Sequence, residues 1–66
     1  MSRKTINIFL VDDHQLIRDG VRFLISQIDH ISVVGEASNG KEFLEYLKDH
    51  AIPDVILMDI AMPIMN

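Results

Sequence analysis

Four apolar residues followed by an aspartate, Val55-Ile56-Leu57-Met58-Asp59, constrain this chain more than any other stretch. The run is too short for a helix, and turn formers bound it on both sides. That is the pattern of a buried parallel strand covered on both faces. Pro63 forces Met62 into an extended conformation, so the chain leaves the strand through a loop. A carboxylate at the carboxyl end of a central parallel strand stands where open α/β sheets place their ligands.

The same design occurs earlier. Ile6-Asn7-Ile8-Phe9-Leu10-Val11 is nearly all apolar, reads as a central strand, and ends on Asp12-Asp13. Asp12 followed by Gln15 resembles a helix-start signature, and a helix is predicted from about residue 14 to residue 27. Leu16, Gly20, Phe23, Leu24 and Gln27 fall at helical spacing, widened by Ile17 and Val21, and are expected to face the sheet. Gly20 in that stripe costs roughly 1 kcal/mol against alanine, which suggests close packing there. Arg18, Asp19 and Arg22 are expected mostly on the other face.

The segment 31–37 alternates more and carries Gly35 and Glu36, features that suit an edge strand. Asn39 with Glu42 forms a second helix-start signature. Phe43, Leu44, Leu47 and Ala51 are expected to form the apolar face of that helix, with Tyr46 beside it. Pro53 and Asp54 lead into the last strand. The order is strand, helix, strand, helix, strand. With right-handed crossovers, the predicted architecture is an α/β parallel sheet of spatial order 2-1-3. This order places Asp12 and Asp13 beside Asp59.

Carboxylates held 4 Å apart repel by roughly 4 kcal/mol per pair at an effective dielectric of 20. A shared proton or a bound cation relieves this. Oxygen ligands without sulfur favour a hard ion, Mg²⁺ or Mn²⁺. Such an ion can neutralise a phosphoryl group arriving at a carboxylate nucleophile. Taken alone, Asp12 or Asp13 could equally be a helix cap or loop residue. His14, in a first helical turn, is expected to be exposed. His30 and His50 read as surface residues, and Met58, Met62 and Met65 as packing groups.

Bulk properties narrow the classes. The chain has 66 residues, one small domain's worth, and no cysteine for disulfides or thiolate metal sites. Its net charge of −4 argues against a nucleic-acid-binding surface. No segment approaches the roughly 20 apolar residues of a membrane span.

Three segments together resemble the receiver domain of bacterial two-component response regulators. They are Ile8-Phe9-Leu10-Val11-Asp12-Asp13-His14, then Val33-Val34-Gly35-Glu36-Ala37-Ser38-Asn39-Gly40, then Asp54-Val55-Ile56-Leu57-Met58-Asp59-Ile60-Ala61-Met62-Pro63. Their wording is closest to the NarL/LuxR-type subgroup, in which a receiver precedes a helix-turn-helix DNA-binding domain. The resemblance implies that Asp59 is the phosphoacceptor, taking a phosphoryl group from a histidine kinase. It implies that Asp12, Asp13 and Asp59, with the backbone carbonyl of Ala61, hold Mg²⁺ or Mn²⁺. It also implies a cytoplasmic signalling protein and a flavodoxin-like doubly wound fold.

That fold is a longer alternation of strands and helices than this chain supplies. Residues 1–66 therefore read as the first half of a receiver, a βαβαβ unit without the hydroxyl residue ending the fourth strand or the lysine ending the fifth. The output domain is likewise expected to be absent. A bare third-strand edge formed by Val55, Ile56, Leu57 and Met58 then predicts completion by self-association, as a homodimer with third strands paired antiparallel. No enzymatic turnover is expected, at most Mg²⁺-dependent self-phosphorylation of Asp59. Two other classes compete: a haloacid-dehalogenase-type phosphatase, which wants Asp-x-Asp where this chain has Asp12-Asp13, and a self-associating scaffold without chemistry.

Overall fold

The structure, a computed structural model, describes residues 4–58. Asp59 and Ala61 lie outside the described residues, as do Met62 and Met65. The elements are β1 (Ile6–Val11), α1 (Gln15–Ser26), β2 (Ile31–Ala37), α2 (Gly40–Leu47) and β3 (Val55–Met58). All strand pairs are parallel and the sheet order is β2-β1-β3, as the hydrophobic patterning predicts.

The pleat of β1 divides the core. Successive side chains of a strand point to opposite faces. Ile8 and Leu10 point to one face, where Ile25 of α1 closes the cluster with Val21 and Val33 around it. Phe9 and Val11 point to the other, where they meet Ala37 and Phe43, with Tyr46 and Leu47 packed alongside. One helix therefore covers each face. The Phe9 ring lies 4.7 Å from that of Phe43 and 4.6 Å from that of Tyr46, both tilted.

Gly35 is what lets Phe9 fit. A Cβ at that position would fall 2.7 Å from Phe9 Cε2 and 3.2 Å from Tyr46 Cε1, too close for any side chain. The β1–β2 register shifts between Ile8 and Phe9, so that Ile8 pairs with Val33 while Phe9 pairs with Gly35. The shift brings Gly35 opposite the ring.

Polar ends fasten the elements. Asn39 caps α2 by accepting from Glu42 N at 2.9 Å, and the Glu42 carboxylate accepts from Ser38 N at 2.7 Å. This is the capping pair read from the sequence, shifted by one residue on its return arm. Asp54 ties β3 to β1 twice: its N–H donates to Asn7 O at 2.9 Å, and its carboxylate accepts from Asn7 N at 2.8 Å.

Three expectations require correction. First, α1 is rotated from the expected orientation: of the stripe expected to face the sheet, Val21 does pack there, while most of the rest does not. Arg18 and Ile25 are its buried residues and Val21 is half-buried, whereas Leu16 is 83% exposed and Phe23 and Leu24 are also exposed. Gly20 has nothing within 4 Å of where a Cβ would stand, so it marks no close packing. Both faces of α1 carry apolar residues, and a network of polar partners for Arg18 decides between them. Second, on α2 only Phe43 is buried; Leu44 and Ala51 are exposed. Third, β3 is not covered on both faces. Its residues are 39–48% exposed, because α1 and α2 pack over β1 and β2 and, among the described residues, β3 is bonded to β1 alone.

Candidate functional site

Asp12 and Asp13 follow directly on Val11, at the carboxyl end of the central strand. The position is fixed by the backbone. Asp12 N donates to Ala37 O at 3.0 Å, extending the β1–β2 ladder by one rung, and Asp12 O accepts from Arg18 Nη1 at 2.7 Å. The helix starts later than Asp12 because His14, not Asp12, is the N-cap residue, and His14 makes no capping bond with its side chain. Asp12 instead closes a short turn: its Oδ1 accepts from the His14 backbone N–H at 2.8 Å.

The two carboxylates turn toward one point. His14 Nδ1 lies 3.1 Å from Asp12 Oδ1 and 2.8 Å from Asp13 Oδ1. One ligand atom from each of Asp12, Asp13 and His14 lies within 4.8 Å of the others. The His14 side chain is nevertheless exposed, as expected, whereas the Asp12 side chain is only 13% exposed. The Asp12 carboxyl is held below its ordinary value of 3.8, first by the His14 backbone N–H. The His14 ring and the Arg18 charge lower it further, against desolvation, which raises it. Asp12 therefore stays ionised, and able to ligate a cation, down to pH values where a free aspartate would already be protonated.

Below this mouth lies a cleft of about 530 Å³ between α1 and β3, lined by Asp12, His14 and Arg18 at one end and by Ile17, Leu57 and Met58 among its apolar walls. The β1–β3 register pairs Val11 with Met58. Asp12 follows Val11 and Asp59 follows Met58 in the sequence. The parallel register brings the carboxyl ends of β1 and β3 to one end of the sheet. Asp59 and the Ala61 carbonyl themselves lie outside the described residues.

The donor set suits a hard divalent ion. Two carboxylates converge at a solvent-open mouth, and Mg²⁺ is bound by one or two carboxylates while keeping several waters.

Sequence reasoning missed Arg18, which it placed on the outer face. Arg18 is 9% exposed and is the buried charged residue among those described. Its signal was present as the spacing Arg18, Val21, Ile25 on one helix stripe. The matching acid, Glu36, lies on the neighbouring strand.

Comparison with known proteins agrees with this geometry. The response regulator receiver domain family matches residues 8–66. The response regulator UvrY of Escherichia coli is 48% identical over 58 residues, covering 88% of this chain and 26% of that protein. The nitrate/nitrite response regulator protein NarL of Escherichia coli is 48% identical over 65 residues, covering 98% of this chain and 30% of that protein. The transcriptional regulatory protein YdfI of Bacillus subtilis is 44% identical over 59 residues, covering 89% and 27%. The chain thus spans between a quarter and a third of the length of the curated relatives it matches. Receiver domains generally bind Mg²⁺ at an acidic pocket, and this chain has a cluster of Asp12, Asp13 and His14 at the end of β1. From the match over residues 8–66 and these relatives, the chain belongs to the response regulator receiver domain family, among the NarL/LuxR-type regulators.

Proposed function

We propose that this chain carries the phosphoacceptor of a receiver in a two-component phosphorelay. Asp59 takes a phosphoryl group from the phosphohistidine of a sensor kinase, and Asp12, Asp13 and the Ala61 carbonyl help hold a divalent cation beside it. The observation that carries this reading is the convergence of Asp12 and Asp13 at the end of β1, in a parallel register that leads β3 to Asp59. In the transfer, an Asp59 carboxylate oxygen forms a bond to phosphorus. The phosphorus–nitrogen bond of the donor breaks, and the imidazole leaves with its electron pair. The cation supplies neutralisation of the phosphoryl charge. Asp12 and Asp13 are already brought together for this.

The relatives' names place them among response and transcriptional regulators. The whole protein then reads as a cytoplasmic DNA-binding regulator. Among the described residues, no helix is long and apolar enough to cross a membrane. The chain accepts phosphoryl groups without catalytic turnover.

The test is incubation with acetyl phosphate and Mg²⁺, read by intact mass. One added phosphoryl group per chain is expected, and it is expected to fail to appear when EDTA removes the cation. A steady release of inorganic phosphate without an adduct would point to a phosphatase instead. No adduct on a chain shown to be folded would refute phosphoacceptor function.

The exposure of β3 favours a second property, self-association. Among the described residues its outer edge has no partner strand, and Val55, Ile56, Leu57 and Met58 are each 39–48% exposed. An apolar, unpaired edge is a template for pairing. A two-fold dimer with β3 strands antiparallel would join two sheets into one. Sedimentation velocity of the 66-residue chain is expected to show concentration-dependent dimers. A monodisperse, cooperatively folded monomer across the concentration range would contradict this.

A further inference from the structure

Arg18 is the buried charged residue of α1 among those described, on the same stripe as Val21 and Ile25, which pack on the sheet. Its guanidinium spends its donors on three parts of the fold. Nε donates to Glu36 Oε1 on β2 at 3.1 Å. Nη1 donates to Asp12 O at 2.7 Å and to Ser38 Oγ, in the loop after β2, at 3.0 Å. Nη2 donates to Gln15 Oε1 in the first turn of α1 at 2.9 Å. Arg22 takes the other Glu36 oxygen, so that this carboxylate is held from both sides. A planar fork of fixed donors can satisfy so many acceptors at once, and a lysine ammonium cannot.

The consequence falls on Asp12. Its N–H is fixed by Ala37 O and its carbonyl by Arg18, so both peptide groups flanking its Cα are held. The Cα–Cβ direction of Asp12 is then set by the backbone, and its Oδ1 is held by the His14 N–H.

We propose that Arg18 is a positioning residue for the cation site: through the Asp12 carbonyl, it holds the Asp12 carboxylate in the orientation a divalent cation needs. The proposal rests on the reading that Asp12 and Asp13 bind that cation. Groups that orient metal ligands typically change affinity by about 10- to 100-fold when removed.

Electrostatics alone predicts the opposite sign. A positive charge near a cation site repels the cation, so deleting it would tighten binding. Positioning predicts that binding weakens. The experiment is a Mn²⁺ titration followed by electron paramagnetic resonance of the free ion, with circular dichroism reporting the folded fraction. The variants are Arg18→Lys, which keeps the charge and loses the fork, Arg18→Met, which loses both, and Ser38→Ala, which removes one neutral acceptor.

Arg18→Lys and Arg18→Met are each expected to bind Mn²⁺ at least about 10-fold more weakly per folded chain. Ser38→Ala is expected to weaken binding by a smaller factor. Should either arginine variant fail to fold, Ser38→Ala carries the test, and unchanged affinity there overturns the proposal. Folded Arg18 variants that bind as wild type, or Arg18→Met binding more tightly, overturn it as well and leave the cation reading intact. A folded wild-type chain that binds no Mn²⁺ defeats the cation reading, and the role of Arg18 falls with it.

Discussion

Asp59→Asn is expected to abolish phosphoryl uptake from acetyl phosphate in the presence of Mg²⁺, with the fold retained. The carboxamide lacks the anionic oxygen that attacks phosphorus, and it weakens the third side of the cation site. The argument for Asp59 over Asp12 or Asp13 is geometric. The Asp12 carboxylate is bonded by the His14 N–H and its peptide is fastened to β2 and Arg18. Asp13 shares the His14 ring with it. These two acids are engaged as a pair at the His14 ring. Asp12→Asn and Asp13→Asn are therefore expected to weaken Mn²⁺ binding while leaving Asp59 as the acceptor. Intact mass distinguishes the cases: an Asp59→Asn chain that still gains a phosphoryl group would mean that the acceptor is another residue.

Phe9→Ala is expected to unfold most of the population. Phe9 is 1% exposed, packs against two aromatic rings, and fills the space left by Gly35. Truncating a buried phenylalanine costs about 3–5 kcal/mol. A stability of 0.05–0.15 kcal/mol per residue gives a chain of this length roughly 3–10 kcal/mol in all. Small domains, which bury a smaller share of their surface, belong at the lower end. Leu16→Ala is the contrast. Leu16 is 83% exposed, and its loss is expected to change stability by no more than about 0.5 kcal/mol. Urea denaturation measures both. A Phe9→Ala chain within about 1 kcal/mol of wild type would contradict the described core.

These two substitutions also show where the sequence was readable. The apolar runs and their bounding turns predicted all three strands with the bounds observed, because period and punctuation are local signals. The order β2-β1-β3 followed from the more polar character of β2. The Asp12-Asp13 mouth was legible because acids ending an apolar run need a reason to be there.

The orientation of α1 was not legible. Leu16, Phe23 and Leu24 make one apolar stripe, and Val21 and Ile25 make another. Hydrophobic periodicity alone selects the richer stripe. The structure selects the poorer one, because it brings Arg18 to Glu36, Ser38 and the Asp12 carbonyl. That choice depends on partners from a separate strand and loop, which no window along the helix contains. The apolar run of β3 suggests a strand covered on both faces, whereas its bare edge was expected: an apolar run reports suitability for burial, and burial itself depends on what lies alongside.

The central claim is that Asp59 is phosphorylated at a site assembled by Asp12, Asp13 and a divalent cation. The most direct measurement is borohydride treatment of the chain after acetyl phosphate, followed by peptide mass mapping. Hydride reduces an aspartyl phosphate to homoserine, with loss of phosphate, and so marks the residue that carried it. The account predicts homoserine at position 59 alone, formed with Mg²⁺ and lost with EDTA. Homoserine at position 12 or 13, or equal yield at 59 without a divalent cation, would contradict it.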